Sequence, residues 1–425
     1  MKEQLFQFIW QQQLFNMQDL RLTSGELVEI LFPGELNTNQ GPDFIGARIR
    51  FNNTLWCGQV ELHIKASDWF RHFHNDDHNY DNVILHVVWE NDQLIFEDLR
   101  TLVLQDRIST ILLERFSALK ENRSFIPCQP LLITNNVPRE LDNIDVLLKE
   151  RFNRKAETIF PELSTFRNHW EAILWHKVAR AFGGSINGDA FEQMAQSIPF
   201  NVLQRLKVQI HQLESVMLGQ CGLLDEPSTD DYVVLLSKEY QFLKRKFSLS
   251  PIRNPVHFLR MRPSNFPTVR LAQLAMFMHV NPPLFDYFLH LEDIRDCVPM
   301  FDITANDFWH YHYSLRDKSN YKPKKLGLEM LWAIVINAII PVMYAYGSFH
   351  KDEILKKKAL GWLKQIPAES NSILHSFKKL GFRADHADET QSLLELKKAY
   401  CDVKRCLECE IGNQLLARQP APSGN

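Results

Sequence analysis

Residues 39–65, NQGPDFIGARIRFNNTLWCGQVELHIK, decide the fold of the first part of this chain. A Gly41-Pro42 turn precedes FIGARIRF, the turn pair Asn52-Asn53 follows it, and LWCGQVELHIK comes next. Alternating apolar residues between such breakers read as two strands of a hairpin. Working outward, ELVEILFPG, NVILHVVWEN, QLIFEDL and TLVLQD extend the strand pattern from about Leu22 to Gln105. A helix is expected near Asp68 to Asp77, where Ser67 and Asp68 can cap its first turn. After about Ile108 the spacing becomes i, i+3, i+4, i+7, as in ISTILLERFSALKE, IDVLLKERFNRKAETIF, HWEAILWHKVARAF, VLQRLKVQIHQLESVML and DYVVLLSKEYQFLKRKF. The expected class is α+β: a small mixed-sheet α/β domain over 1–125, a Pro/Asn-rich linker over 126–141, a helical domain over 142–417, and a frayed tail over 418–425.

The chain has 425 residues, 45% of them hydrophobic and 23% charged. That composition suits a globular protein of two or three domains and excludes disorder as the dominant state. The N-terminal MKEQLFQFIWQQQLFNMQDL spaces its apolar residues three or four apart among glutamines, so it reads as an amphipathic helix, not a signal peptide. The most apolar run, Leu331 to Tyr346, is interrupted by Asn337 and Pro341. It falls short of the roughly 20 residues a bilayer span needs, so a buried helix is expected and no membrane partner. Seven cysteines in a large chain without an export signal point to a reducing cytoplasm. The formal net charge of −3 hides an asymmetry, because residues 1–125 hold 11 Lys/Arg against 18 Asp/Glu.

Within that acidic segment Glu61 lies in an apolar run with Val60, Leu62 and Ile64, where a carboxylate is costly unless paired or metal-bound. Two readings stand side by side. Asp43 and Glu61 share a metal, or Asp43 caps a turn and Glu61 pairs with Arg48 or Arg50 across the hairpin. By period-2 alternation Glu61, His63 and Lys65 share one face.

Asp43 in G-P-D-F, then Glu61-Leu62-His63 on the next strand, then a helix and another apolar strand, resembles the core of the PD-(D/E)XK nuclease superfamily, a restriction-endonuclease-like fold. The resemblance implies that Asp43 and Glu61 ligate Mg²⁺ or Mn²⁺, which would activate water against a phosphodiester. It also implies an upstream helical acid, for which Glu26 or Glu29 is the candidate. His63 stands where the superfamily has lysine, and Lys65 is the candidate for the missing charge. Some of these nucleases carry an iron–sulfur cluster held by C-terminal cysteines.

Three further patterns carry chemistry. The stretch SDWFRHFHNDDHNY (67–80) supplies His72, His74 and His78, and His86 lies in VILHVVW. His63, His74, His78 and His86 with Asp77 or Asp81 form an alternative Zn or non-haem Fe set, whereas His72 and His74 cannot share a face of a regular helix. Residues 241–270 hold Lys244, Arg245, Lys246, Arg253, Arg260, Arg262 and Arg270 and no acid, a loop suited to phosphate contact in DNA or RNA, or else one whose arginines pair with acids elsewhere. Cys401, Cys406 and Cys409 are spaced C-x4-C-x2-C, which suits Zn or an Fe–S cluster with a distant fourth ligand such as Cys57, Cys128, His375 or His386. The alternative is that they are small apolar residues of a buried helix face.

Across nearly its whole length, from G-P-D-F and V-E-L-H through R-P-S-N-F-P-T-V-R to Y-C-x4-C-x-E-C-x-I-G, the chain also resembles a bacterial family defined only as a domain of unknown function, which implies no activity. The leading expectation is a divergent metal-dependent nuclease. The alternatives are a non-catalytic nucleic-acid-binding or assembly protein that keeps the nuclease fold, and a His/carboxylate metallohydrolase of a small substrate. No protein partner is indicated.

Overall fold

The computed structural model describes residues 1–37, 40–72, 74, 77–95, 99–134, 141 and 143–417. The chain divides into two compact units. The first is Met1–Arg139 with Leu396–Asn425 and the second is Glu140–Glu395. The division falls within the expected 126–141 joint, but the segment from Leu396 onward returns to the first unit instead of ending the helical domain. Residues 418–425, expected to fray, lie outside the described residues.

The first unit is a mixed sheet. Its elements are α1 (Glu3–Gln11), β1 (Val28–Phe32), β2 (Glu35–Leu36), β3 (Phe44–Phe51), β4 (Thr54–Lys65), α2 (Asp68–Arg71), β5 (Val83–Glu90), β6 (Thr101–Val103), α3 (Thr110–Glu121) and α4 (Gln129–Thr134). The spatial order is β1-β3-β4-β5-β6, with β2 also paired to β3. β1, β3 and β4 run antiparallel, and β4, β5 and β6 run parallel. Asn52, at φ 51°, supplies the left-handed turn residue that a two-residue hairpin between β3 and β4 requires. The parallel half is reached through α2, and there the strands are buried on both faces. β4 is buried continuously from Val60 to His63, which is why VILHVVW and GQVELHI read as unbroken apolar runs.

Two expectations are corrected here. The helix foreseen over Asp68 to Asp77 ends at Arg71. Its Ser67 side chain bonds Asp92 instead of capping, while Asp68 accepts the Lys65 N–H. The strand foreseen in QLIFEDL forms none among its described residues, 96–98 lying outside them. α1 is the amphipathic helix expected from its spacing, burying Leu5, Phe6, Phe8, Ile9 and Trp10, each worth roughly 2 kcal/mol of transfer free energy.

The second unit is helical, with α5 (Ile144–Thr165), α6 (Trp170–Ser197), α7 (Phe200–Leu206), α8 (Ile210–Gln220), α9 (Asp231–Lys246) and α10 (Pro267–Val280) leading its first half. α6 turns at Gly184, φ 64°, where the periodic pattern also stopped. The single helix foreseen over 202–218 is two, because the Lys207 carbonyl accepts from the His279 ring at 2.6 Å instead of from the backbone four residues on. Among the described residues one helix, Leu328–Phe349, is long and apolar enough to cross a membrane, and its apolar window is 67% buried within this unit. A π-helical stretch at Val335–Ile339 precedes Pro341 and absorbs its missing N–H.

One core group is electrostatically unusual. Glu214 is fully buried and accepts from Trp309 Nε1 (3.0 Å), the Tyr232 hydroxyl (3.0 Å) and Asn306 Nδ2 (2.6 Å). Burial outweighs these donors and pushes its carboxyl up to about 7. Below the ordinary glutamate range the group is protonated both folded and unfolded. As pH rises to about 7 only the unfolded chain ionises, so this contribution to stability is lost over that window. Wild type is therefore expected to lose roughly 3 kcal/mol relative to Glu214→Gln between pH 4.5 and 7, by the usual conversion of a pKa shift to free energy. Urea unfolding of both proteins across that range checks it.

Candidate metal centre in the first unit

The site is built on β4 and the connection to β5. The register Phe44↔Val60 sets Asp43, just before β3, beside Glu61. The two carboxylates are tied reciprocally through backbone: Asp43 N–H donates to Glu61 Oε2 (3.0 Å), and Leu62 N–H donates to Asp43 Oδ2 (3.0 Å). The other Asp43 oxygen accepts from Gln7 Nε2 of α1 at 2.8 Å. Burial, then the Glu61 charge, pushes the Asp43 carboxyl up to about 7. Arg48 lies over the Phe32 ring and Arg50 pairs with Glu29, so neither hairpin arginine compensates Glu61.

Imidazoles stand there instead. Glu61 Oε1 faces His74 Nε2 at 3.3 Å and His63 Nε2 at 3.5 Å. His63 Nε2 also lies 3.2 Å from His72 Nδ1, and ligand atoms of His63, His72 and His74 all fall within 4.8 Å of one another. Because α2 stops at Arg71, the chain beyond it leaves the helical repeat, and His72 and His74 reach the same side of the sheet, contrary to the helix-face argument. The buried His74 Nε2, although near Glu61, has no partner in hydrogen-bonding geometry.

Neighbouring groups hold the rings in ligand-competent states. Burial, then the other imidazoles, brings the His63 pKa down to about 2 and that of His86 to about 3, so both stay neutral. His63 Nδ1 meets His86 Nε2 at 2.9 Å. With Nδ1–H donated to His86, the Nε2 lone pair of His63 points toward Glu61 and His72, the arrangement by which an outer histidine fixes a ligand's tautomer. Tyr80 stacks on His74 with centroids 3.8 Å apart, and Trp69 packs edge-on against His63, His74 and His86. Three clustered imidazoles, with a carboxylate beside two of them, are a donor set for zinc, iron or another transition ion more than for magnesium.

The remaining expected residues lie as follows. Glu26 is not helical and is excluded from this site: its carboxylate meets Ser24 and Asn52, at the end of β3 opposite Asp43, on the order of 25–30 Å away along the strand. The upstream helix is α1, and it offers Gln7 and the nearby charge of Glu3. Lys65 is exposed at the end of β4, where its charge acts on Asp92. His78 is exposed and pairs with Asp81. Sequence reasoning missed Gln7, Tyr80 and Trp69 as site residues. The polar face of the N-terminal amphipathic helix was the one available signal for Gln7.

In the second unit the 241–270 stretch is the end of α9, an irregular loop and the start of α10. The loop is held by Asn187, which bonds both the N–H and the C=O of His257. Lys244, Arg245, Lys246, Arg260 and Arg262 form no ion pair among the described residues. Arg270 is drawn inward and bonds Gln273 and Asn265. Cys406 and Cys409 are buried and Cys401 half-buried, all in the first unit.

Residues 3–372 match the family model described as "Protein of unknown function (DUF2851)". The chain belongs to this family. No curated protein and no solved structure matches it. The family match includes every residue of the histidine–carboxylate site and ends before Cys401.

A divalent transition ion is expected to bind this site at one per chain. Replacing an outer histidine weakens metal affinity by roughly 10–100-fold in comparable sites, so His86→Ala is expected to fall in that range while His74→Ala abolishes binding. Titration with Co²⁺ followed by visible absorption checks both, with His78→Ala as the unaffected control.

Proposed function

We propose that this protein is a metal-dependent hydrolase of phosphodiesters in nucleic acid, with its chemistry at Glu61, His63, His72 and His74. The clustering of the His63, His72 and His74 ligand atoms, with the buried Glu61 carboxylate facing two of them, His63 and His74, carries the reading. A transition ion held there would supply Lewis acidity and lower the pKa of a bound water. The protein residues do the rest. Asp43 and Gln7 position Glu61, His86 sets the tautomer of His63, and Tyr80 holds the His74 ring flat. His72, the exposed member of the set, marks the side from which a substrate is admitted.

The strand layout supports the phosphodiester assignment: an aspartate precedes one strand, the Glu61-x-His63 pair lies on its antiparallel neighbour, and a helix and a parallel strand follow. So do the cations of the second unit that form no ion pair among the described residues, one of which, Lys246, lies over the Phe242 and Phe247 rings. The ion differs from the Mg²⁺ or Mn²⁺ that the nuclease resemblance implies, because imidazoles replace the oxygen-rich set that magnesium prefers. A second reading, hydrolysis of a small substrate, is favoured by the closure of the site: Glu61 is 5% exposed, His63 2% and His74 9%.

Wild type loaded with Zn²⁺, Fe²⁺ or Co²⁺ is expected to cleave single- or double-stranded DNA or RNA, and Glu61→Gln to lose at least about 100-fold, the lower range of an acid–base or metal-ligand contribution. Arg245→Ala with Arg260→Ala and Arg262→Ala is expected to lower the salt dependence of nucleic-acid binding by roughly one unit of slope for each phosphate no longer neutralised. Turnover of bis(p-nitrophenyl) phosphate without nucleic-acid cleavage selects the small-substrate reading. Salt-dependent binding without turnover on any substrate selects a non-catalytic binding protein.

A further inference from the structure

The loop between α9 and α10 is built around a tight turn that phosphate contact alone does not explain. Met261 N–H donates to the Phe258 carbonyl (3.4 Å), which makes Leu259 and Arg260 the central residues of a β-turn. Arg260 has φ 62°, the left-handed conformation for which a turn ordinarily uses glycine or asparagine. Leu259 beside it is 80% exposed. An arginine in a disfavoured backbone state, next to an apolar side chain held out in solvent, is a combination that folding by itself does not call for.

The turn is fixed from below. The buried Asn187 of α6 accepts the His257 N–H (2.7 Å) and donates to the His257 carbonyl (2.9 Å), and its amide nitrogen lies 3.6 Å from the Met261 sulfur. Phe258 packs edge-on against Phe266, with centroids 5.3 Å apart. Pro263 opens the short turn Pro263–Asn265, where Asn265 accepts from Arg270 at 2.7 Å. One buried side chain thus grips both feet of the turn, and Leu259 stands on a fixed support. Around the tip, Arg253, Arg260 and Arg262 are exposed and form no ion pair among the described residues. Asp189 and Glu192, which follow Asn187 on α6, are taken by Arg180 and Lys177.

A single leucine among arginines matches one kind of surface best. In duplex DNA, apolar side chains such as leucine enter between base steps from the minor groove and kink the helix by roughly 20–90°, while arginines occupy the groove and meet its phosphates. An anionic membrane asks for a broader apolar area than one side chain offers, because such binding scales with the apolar area buried. The minor groove of A-form RNA is wide and shallow and presents no narrow cleft for a wedge. We propose that the Phe258–Met261 turn is a DNA wedge: Leu259 inserts between base pairs from the minor groove, with Arg260 and Arg262 on the flanking phosphates. The wedge rests on the nucleic-acid reading given above and narrows it to duplex DNA, unstacked where the turn enters.

The test uses the full chain with a chelator, so that the DNA stays intact, and a short duplex carrying a fluorescent adenine analogue at a central TA step and a donor and an acceptor dye at its ends. Pyrimidine–purine steps are the most easily kinked. At saturating protein, wild type is expected to raise the emission of the analogue, which reports unstacking, and the energy transfer between the ends, which reports bending. Leu259→Ala is expected to lose both signals and Leu259→Met to keep them. Because Leu259 is exposed, neither change threatens the fold. DNA binding with no unstacking by wild type, or with unstacking unchanged in Leu259→Ala, overturns the wedge and leaves the nuclease reading standing. Absence of binding to any DNA or RNA overturns both. Leu259-dependent binding to phosphatidylserine vesicles without a DNA signal makes the turn a membrane contact and also overturns the wedge.

Discussion

The constraint on which the first unit depends is the burial of the Glu61 carboxylate inside a strand that is covered on both faces. A charge there must be answered locally, and among the described residues no arginine or lysine pairs with it. The answer is distributed: one oxygen takes the Asp43 N–H, and the other faces the imidazoles of His63 and His74. Asp43 is bound in turn to Leu62 N–H and Gln7, so β3, β4 and α1 are locked at the point where the histidines arrive. Removing one partner from such a network leaves a buried group unmatched, which costs more than the hydrogen bond itself. The same arrangement that looks expensive for stability is what a transition ion would use.

The histidines illustrate how burial selects protonation state. His63 and His86 lie so deep, and so close to other imidazoles, that their protonated forms are strongly disfavoured. Neutral rings carry a lone pair, and a lone pair is what a metal requires. Asp43 is shifted in the other direction for the same two reasons, burial and a like-charged neighbour. The two units handle buried acids differently. Glu214 in the second accepts from three neutral donors, Trp309, Tyr232 and Asn306, and so reads as a structural group, not a ligand.

Much of this was legible in the residues. The strand patterns in 44–51 and 55–65, broken at Asn52-Asn53, give the hairpin to within one residue of the boundaries seen, and an acid inside V-E-L-H marked Glu61 as a group needing a partner. Adjacent strands left open whether Asp43 meets Glu61, and the register Phe44↔Val60 decides it. The partners themselves were less legible. Arg48 and Arg50 were the cations expected across the hairpin, yet Arg50 takes a half-buried position opposite Glu29 on β1. Glu26 was matched to a helical acid it cannot be, because the helix upstream is α1 and the residues near 26 form a turn and a strand.

By itself the sequence determined the class of each element, through hydrophobic period, and the identity of the groups whose burial would be costly. Only the tertiary structure decided which side chains meet. His72 and His74 converge because α2 ends after four residues, a boundary that capping residues alone did not mark. Cys401, Cys406 and Cys409 belong with the first unit because the chain returns to it at Leu396, and local spacing carries no information about such a return. Periodicity is a property of neighbours along the chain, whereas a ligand set is a property of neighbours in space.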